Sequence, residues 1–205
     1  EAQGFKTIGY EKLENAAKTY NQNLIGECHI KELTPETRFP KTDIIIGGPP
    51  CQPFSVGGKQ LGLKDARDGF PIFLSAVEQN KPEILLFENV RGLLYKNKSY
   101  LKEIIAHLET LGYKISYSLL NAKFYGVPQN RERVFVIGSR IKSAPANEIV
   151  SDLLKSQENF KEKHLKDALF GLPKLEPKRM KNTRGVENDK IGYKFRKNGF
   201  AQNEF

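Results

Sequence analysis

Two cysteines, Cys28 and Cys51, are all that the 205 residues hold. That is too few for a disulfide framework, and it points to a reducing, intracellular setting. No apolar run approaches the roughly 20 residues a membrane-spanning helix needs, and the first residues lack the basic-apolar-small order of a signal peptide. Internal repeats and low-complexity tracts are missing as well. Acidic residues are in the minority, leaving a net charge of +9. From Lys161 onward there are twelve Lys and Arg against six Asp and Glu. A basic, aromatic-bearing tail fits a polyanionic partner, although such charge also serves as plain solvated surface. The length suits one domain plus the beginning of another.

What is present alternates strands with helices. Phe5–Tyr10 reads as a short strand, and Leu13, Ala16, Ala17 and Tyr20 then recur at helical spacing. Ile44, Ile45 and Ile46 form a β-branched run of the kind buried on both faces of a parallel sheet. Pro71 suits the first turn of a helix whose apolar face is Ile72, Phe73, Ala76 and Val77. Ile84–Phe87 is a second apolar strand. Leu101, Ile104, Ile105, Leu108 and Leu111 then form a helical stripe, with Gly112 as its stop. Ile115–Leu120 and Val134–Ile137 read as two late strands, joined by only a loop and open to antiparallel pairing; short helices are expected near 149–154 and 164–171. Strands separated by helices imply an α/β protein with a mainly parallel, twisted sheet.

Three loops should gather at the carboxyl edge of such a sheet, where open α/β folds keep their reactive groups. The first follows Ile44–Ile46: Gly47–Pro50 stops the strand, and Cys51, Gln52 and Ser55 come directly after. Taken alone, Cys51 is equally a small buried thiol beside a turn. The second loop brings Glu88 and the third brings Gln129, Arg131 and Arg133. A thiol attacks only when ionised, and guanidinium groups favour the thiolate. A carboxylate held in a dry pocket can donate to a ring nitrogen. Arginines two apart on an extended segment share a face and can hold a carbonyl oxygen and a phosphate. Singly, each has an ordinary surface reading; together those readings become improbable. Glu11, at the end of the first strand, stands where nucleotide-binding βαβ units place a ribose carboxylate. No glycine-rich loop is found in the ten residues before it, so the residues by themselves favour a helix-start acid.

At this point the chain resembles the DNA (cytosine-5) methyltransferases. GGPPCQPFSVGGK is similar to their nucleophile motif, FENV to their glutamate motif and YGVPQNRERVFVIG to their glutamine-arginine-arginine motif, in the same order and spacing. LLFENVRGLL and LNAKFYGVPQNRERVF are too long to match by chance, and the likeness runs from about Gly4 to Arg140. The resemblance implies a Rossmann-like catalytic domain over 1–145, with 146–205 as linker and the beginning of a target-recognition region. It implies that Cys51 attacks carbon 6 of a cytosine flipped from duplex DNA. Glu88 would serve ring nitrogen 3, Arg133 the base carbonyl, and Arg131 the orientation of Glu88. Carbon 5 would then take a methyl from S-adenosylmethionine. Glu11, Ile30, Pro50 and Val90 fall where the family lines its cofactor pocket, which reverses the reading of Glu11 as a mere helix-start acid. Gln52, Ser55, Lys59 and Gln129 would face the nucleic acid, and the loop Gln52–Asp68 should close over the flipped base.

The departures are specific. The family's first Phe-x-Gly-x-Gly motif and its closing Gly-Asn-Ser motif are not found, and His29 stands where an aspartate usually meets the adenine. The expected setting is a bacterial cytoplasm, at the nucleoid, without membrane contact, as the modification enzyme of a restriction-modification system. A second polypeptide could supply the missing motifs. Two other readings stay open: the same chemistry on transfer RNA, whose enzymes share the Pro-Pro-Cys-Gln loop, and a catalytically idle nucleic-acid-binding fragment.

Overall fold

The computed structural model describes residues 4–50 and 69–168, together with two short strand pieces at 187–188 and 193–194. The chain divides into two compact units, Glu1–Ala168 and Leu169–Phe205. In the second unit, β7 (Glu187–Asn188) pairs antiparallel with β8 (Tyr193–Lys194).

The first unit begins with a βαβ piece: β1 (Ile8–Glu11), α1 (Glu14–Asn23) and β2 (Glu27–Ile30). The two strands are parallel, with Glu11 opposite Ile30. Asn21, on α1, clamps the second strand. Its side chain accepts from the Cys28 amide at 2.7 Å and donates to the Cys28 carbonyl at 3.1 Å. The segment that follows is fastened to α2 (Phe70–Asn80) by Ser75, which donates to the Pro35 carbonyl, and by Gln79, which donates to that of Thr37.

The larger sheet has four strands in the order β3 (Ile44–Gly47), β4 (Ile84–Val90), β6 (Glu132–Ser139), β5 (Lys114–Asn121). β3 and β4 are parallel, whereas β4–β6 and β6–β5 are antiparallel. The chain is thus a mixed α/β fold with flanking helices, and the hairpin allowed for the late strands is present. Period-two alternation sorts the sheet into two faces. Leu85, Phe87, Val134 and Val136 turn toward α2 and α3 (Lys98–Thr110), where they meet Phe70, Phe73, Val77, Ile104 and Leu108 in the main core. Aromatic edges pack on ring faces here: Phe70 and Phe73 both lie T-shaped to Phe87 at 5.2 and 5.6 Å. On the other face Ile84, Leu86 and Ile137 meet Ala146 and Val150 of α4 (Ala146–Lys155), so this helix belongs to the first unit. A short α5 (Leu165–Ala168) follows.

One expectation is corrected. The Ile44–Ile46 run is not buried on both faces: Ile46 is 72% exposed and its neighbours are half-buried. Among the described residues β3 pairs with β4 alone, and the helices cover only its Ile45 side. Three isoleucines read as buried because they are apolar, but burial depends on what lies across from them. Gly47 closes the strand where no larger residue fits, because a side-chain carbon there would stand 2.7 Å from the Phe73 ring.

Candidate active site

Glu88, Asn89 and Val90 end β4, and Arg91 follows directly after it. Glu88 lies on the α4 face of the sheet, and the antiparallel register sets it diagonally across from Arg133 on β6. The Arg133 Nε donates to Glu88 Oε1 at 2.8 Å. The two side chains are 34% and 23% exposed, so the pair is neither dry nor fully solvated. A second Arg133 nitrogen donates to the Glu132 carbonyl at 2.8 Å, which fixes the plane of the guanidinium. The family resemblance implies that Arg131 orients Glu88; the guanidinium in contact with the Glu88 carboxylate is that of Arg133.

Asn89 points to the opposite face and is buried. Its side-chain amide donates to the Pro49 carbonyl at 2.9 Å, forty residues away in sequence, while its oxygen accepts from the Val90 amide. This bond fastens the end of β4 to the segment that leads into Cys51. Gly48 in that segment is open toward Glu88: a side-chain carbon there would lie 4.0 Å from Oε2. The Gly69 amide donates to the Pro50 carbonyl at 3.0 Å, so the two ends of the loop 51–68 are pinned together. Cys51, Gln52, Ser55 and Lys59, and the loop Gln52–Asp68 expected to close on a base, lie outside the described residues.

Arg91 completes the series. It reaches Glu132 at 2.6 Å and stacks over the Tyr95 ring at 5.5 Å. Two acid-guanidinium pairs therefore reach β6 from this edge, Glu88 of β4 with Arg133 and Arg91, just past the end of β4, with Glu132. A cavity of about 360 Å³ opens between them, lined by Val90, Arg91, Gln129, Arg131 and Arg133 among others. Arg131 and Gln129 are exposed along it, and Val90 gives it an apolar wall. Asn89, Arg91 and Glu132 were not singled out from sequence. The available signals were a polar residue inside an apolar strand and an acid between two arginines.

The cofactor-side residues sit apart in kind. Glu11 ends β1, where its carboxylate accepts at 2.9 Å from the amide of Leu13, the residue that precedes α1. Only one of its oxygens is engaged in that bond. Beside it, across the parallel register, Ile30 presents an apolar side chain that is 58% exposed. Pro50 is exposed too. His29 lies near Glu27, Nδ1 to Oε1 at 3.5 Å, with its ring against Tyr10. A carboxylate next to a free apolar surface is a donor set suited to a nucleoside: hydroxyls on the oxygen, a purine on the hydrocarbon. Among the described residues no group of His, Cys, Asp and Glu is placed to hold a metal.

Comparison with known proteins gives a consistent result. The family model described as C-5 cytosine-specific DNA methylase matches residues 1–201. The type II methyltransferase M.AplI of Arthrospira platensis is 55% identical over 138 residues, which cover 67% of this chain and 40% of that protein. M.HgiCII of Herpetosiphon aurantiacus, also a type II methyltransferase, is 33% identical over 205 residues, covering 96% of this chain and 46% of the relative. A solved Escherichia coli prophage protein described as a DNA modification methyltransferase superposes with a TM-score of 0.61 at 22% identity, over 95% of this chain and 55% of that one. At that identity the likeness is one of fold. In chemical terms, the edge of β4 and β6 offers a carboxylate and a guanidinium held side by side, the guanidinium lining an open cavity, next to the anchored root of a cysteine-bearing loop.

Proposed function

The chain belongs to the C-5 cytosine-specific DNA methylases, and from that premise we propose that it methylates carbon 5 of cytosine in duplex DNA through a covalent Cys51 adduct. The observation that carries this reading is the Glu88–Arg133 pair, held at 2.8 Å beside the Gly48–Pro50 approach to Cys51. The target atom is unreachable inside a base stack, so the base must be turned out of the duplex.

The residues divide the work. Arg133 is tied to Glu88 and to the Glu132 carbonyl, and it presents its remaining N–H to the carbonyl oxygen of the base. Glu88 serves ring nitrogen 3, which gains electron density when a thiolate adds to carbon 6. Bond formation between the Cys51 sulfur and carbon 6 moves the ring's electron pair toward carbon 5, making it nucleophilic. After carbon 5 is alkylated, it loses its proton and the sulfur leaves, restoring the aromatic ring. S-adenosylmethionine supplies the electrophilic methyl group when bound. Glu11 would hold its ribose, while Ile30, Val90 and Pro50 would form the apolar wall for the rest. Arg131 and Gln129 line the cavity beside Arg133 and fit the phosphate and loop contacts of the extruded nucleotide. Asn89 acts through the Pro49 carbonyl and positions the loop that bears the thiol. The expected role is modification in a restriction-modification system, on cytoplasmic DNA; the described helices include none long and apolar enough to cross a membrane.

Covalent trapping tests the reading. The full-length protein is incubated with S-adenosylmethionine and duplex DNA containing 5-fluorocytosine, whose fluorine cannot leave as the proton does. A DNA adduct that disappears in Cys51→Ser is the expected result. An adduct with transfer RNA and none with DNA would move the activity to RNA. Absence of an adduct with either would leave a protein without this chemistry.

A further inference from the structure

The β5–β6 connection carries more than the site requires. It opens with a tight turn over Ala122–Tyr125 that is held from several sides. Asn121 accepts from the Lys123 amide at 3.2 Å and donates to the Asn130 side chain at 2.7 Å, and the Ala122 amide donates to the Arg131 carbonyl at 3.0 Å. Tyr125 turns inward, donating to the Leu153 carbonyl and accepting from Gln157. Gly126 follows with φ of +73°, a left-handed conformation that favours glycine. The turn is therefore fixed. What it displays outward is Phe124, 49% exposed, with the Lys123 ammonium 4.6 Å from the ring centroid.

These two residues line a second cavity of about 430 Å³, and this cavity shares Asn130 and Glu132 with the one beside Arg133. The two hollows form one groove along the sheet edge. Its negative charge, Glu132, is already matched by Arg91 at 2.6 Å, and Arg133 is matched by Glu88, which leaves Lys123 and Arg131 to set the sign of the groove. Resting on the DNA reading above, we infer that the Lys123–Phe124 turn is a docking surface for the DNA strand beside the extruded cytosine. Lys123 pairs with a phosphate there, and Phe124 packs against the neighbouring sugar or base. Continuity with the base-binding cavity and the positive charge favour a nucleic acid over a protein partner. A rigid aromatic beside a cation costs little ordering on contact, and aromatic faces accept any base.

The test is fluorescence anisotropy of the full-length protein with a labelled mixed-sequence duplex, repeated across a salt series. Lys123→Gln should weaken binding and lower the slope of log affinity against log salt by about one. Phe124→Ala should weaken binding roughly five- to tenfold and leave the slope unchanged. Thermal unfolding equal to that of the wild type shows that neither variant has lost the fold. Unchanged affinity and slope in both variants, while the wild type binds and forms its Cys51 adduct, would overturn the docking surface and leave the methylation reading standing. A change in oligomeric state without a change in DNA affinity would assign the turn to a protein contact and overturn it equally. If the wild type neither binds duplex DNA nor forms the adduct, both readings fall together.

Discussion

Both parts of the first unit use an asparagine to hold backbone, yet they use it differently. Asn21 satisfies the amide and the carbonyl of Cys28 seven residues away, within one βαβ piece. Asn89 spans forty residues to join the end of β4 to the approach of the cysteine loop. The acids divide in the same way. Glu11 accepts from the Leu13 amide two residues on, whereas Glu88 finds its guanidinium on another strand. The β1–α1–β2 piece is stabilised by near neighbours and leaves apolar residues such as Ile8 and Ile30 in the open. The four-stranded sheet is stabilised by contacts between distant segments, and its buried aromatics close around them. Groups positioned by distant contacts are the ones a mutation elsewhere can displace, so the chemistry of the β4–β6 edge depends on the core beneath it.

Four measurements would break or sharpen that contrast. Phe87→Ala should cost about 3–5 kcal/mol in chemical denaturation, because a fully buried ring leaves a cavity between α2 and the sheet. Ile8→Ala, on a half-exposed strand, should cost about 1 kcal/mol or less; equal costs would erase the distinction between the two parts. Asn89→Ala strands the buried Pro49 carbonyl and should cost about 1–3 kcal/mol. It should also slow adduct formation more than it weakens DNA binding. Asn21→Ala, whose partners are closer to solvent, should do less in the first assay and little in the second.

A double-mutant cycle over Glu88→Gln and Arg133→Gln should return a coupling of about 1 kcal/mol. The exposed Glu14–Lys18 pair on α1, 2.7 Å apart, should return about 0.3–0.5 kcal/mol, and its coupling should fade first as salt is added. The smallest effect is on pH. Burial pushes the Tyr113 phenol up from its ordinary value, against a smaller downward pull from Arg140, and the hydroxyl donates to the Pro82 carbonyl at 2.7 Å. The neutral form is the one the fold favours. Its contribution should be constant up to the unfolded value near ~10 and lost as pH rises from there through the higher folded value. Urea midpoints measured across that range should fall for the wild type and stay flatter for Tyr113→Phe.

Most elements were legible. The apolar runs of β4 and β6 and the stripe Leu101–Ile104–Leu108 state their own period, and Pro71 falls in the first turn of α2. The limits shifted by up to three residues where the ladder continues past an apolar run, as Glu88, Asn89 and Val90 continue β4. β2 was harder to read, because its alternation of Glu27, Cys28, His29 and Ile30 is only four residues long. At the site, Glu88, Arg131 and Arg133 stood out by type and spacing. The partner of each did not. Which arginine meets Glu88 follows from the register of β4 against β6, and a slip by one residue would turn every side chain to the other face. Asn89 and Arg91 were passed over for the same reason: their significance lies in bonds to Pro49 and Glu132, both some forty residues distant.

By itself, then, the sequence determined the α/β character, the order of the elements and the motifs that mark this family. All of these rest on local propensity, periodicity and residue identity. Only the tertiary structure decided that Ile46 stands exposed among the described residues, that the guanidinium paired with Glu88 is that of Arg133, and that Asn89 anchors the root of the cysteine loop. Such facts belong to strand order and register, which arise when segments far apart in the chain compete to cover one another's apolar faces and unpaired polar groups.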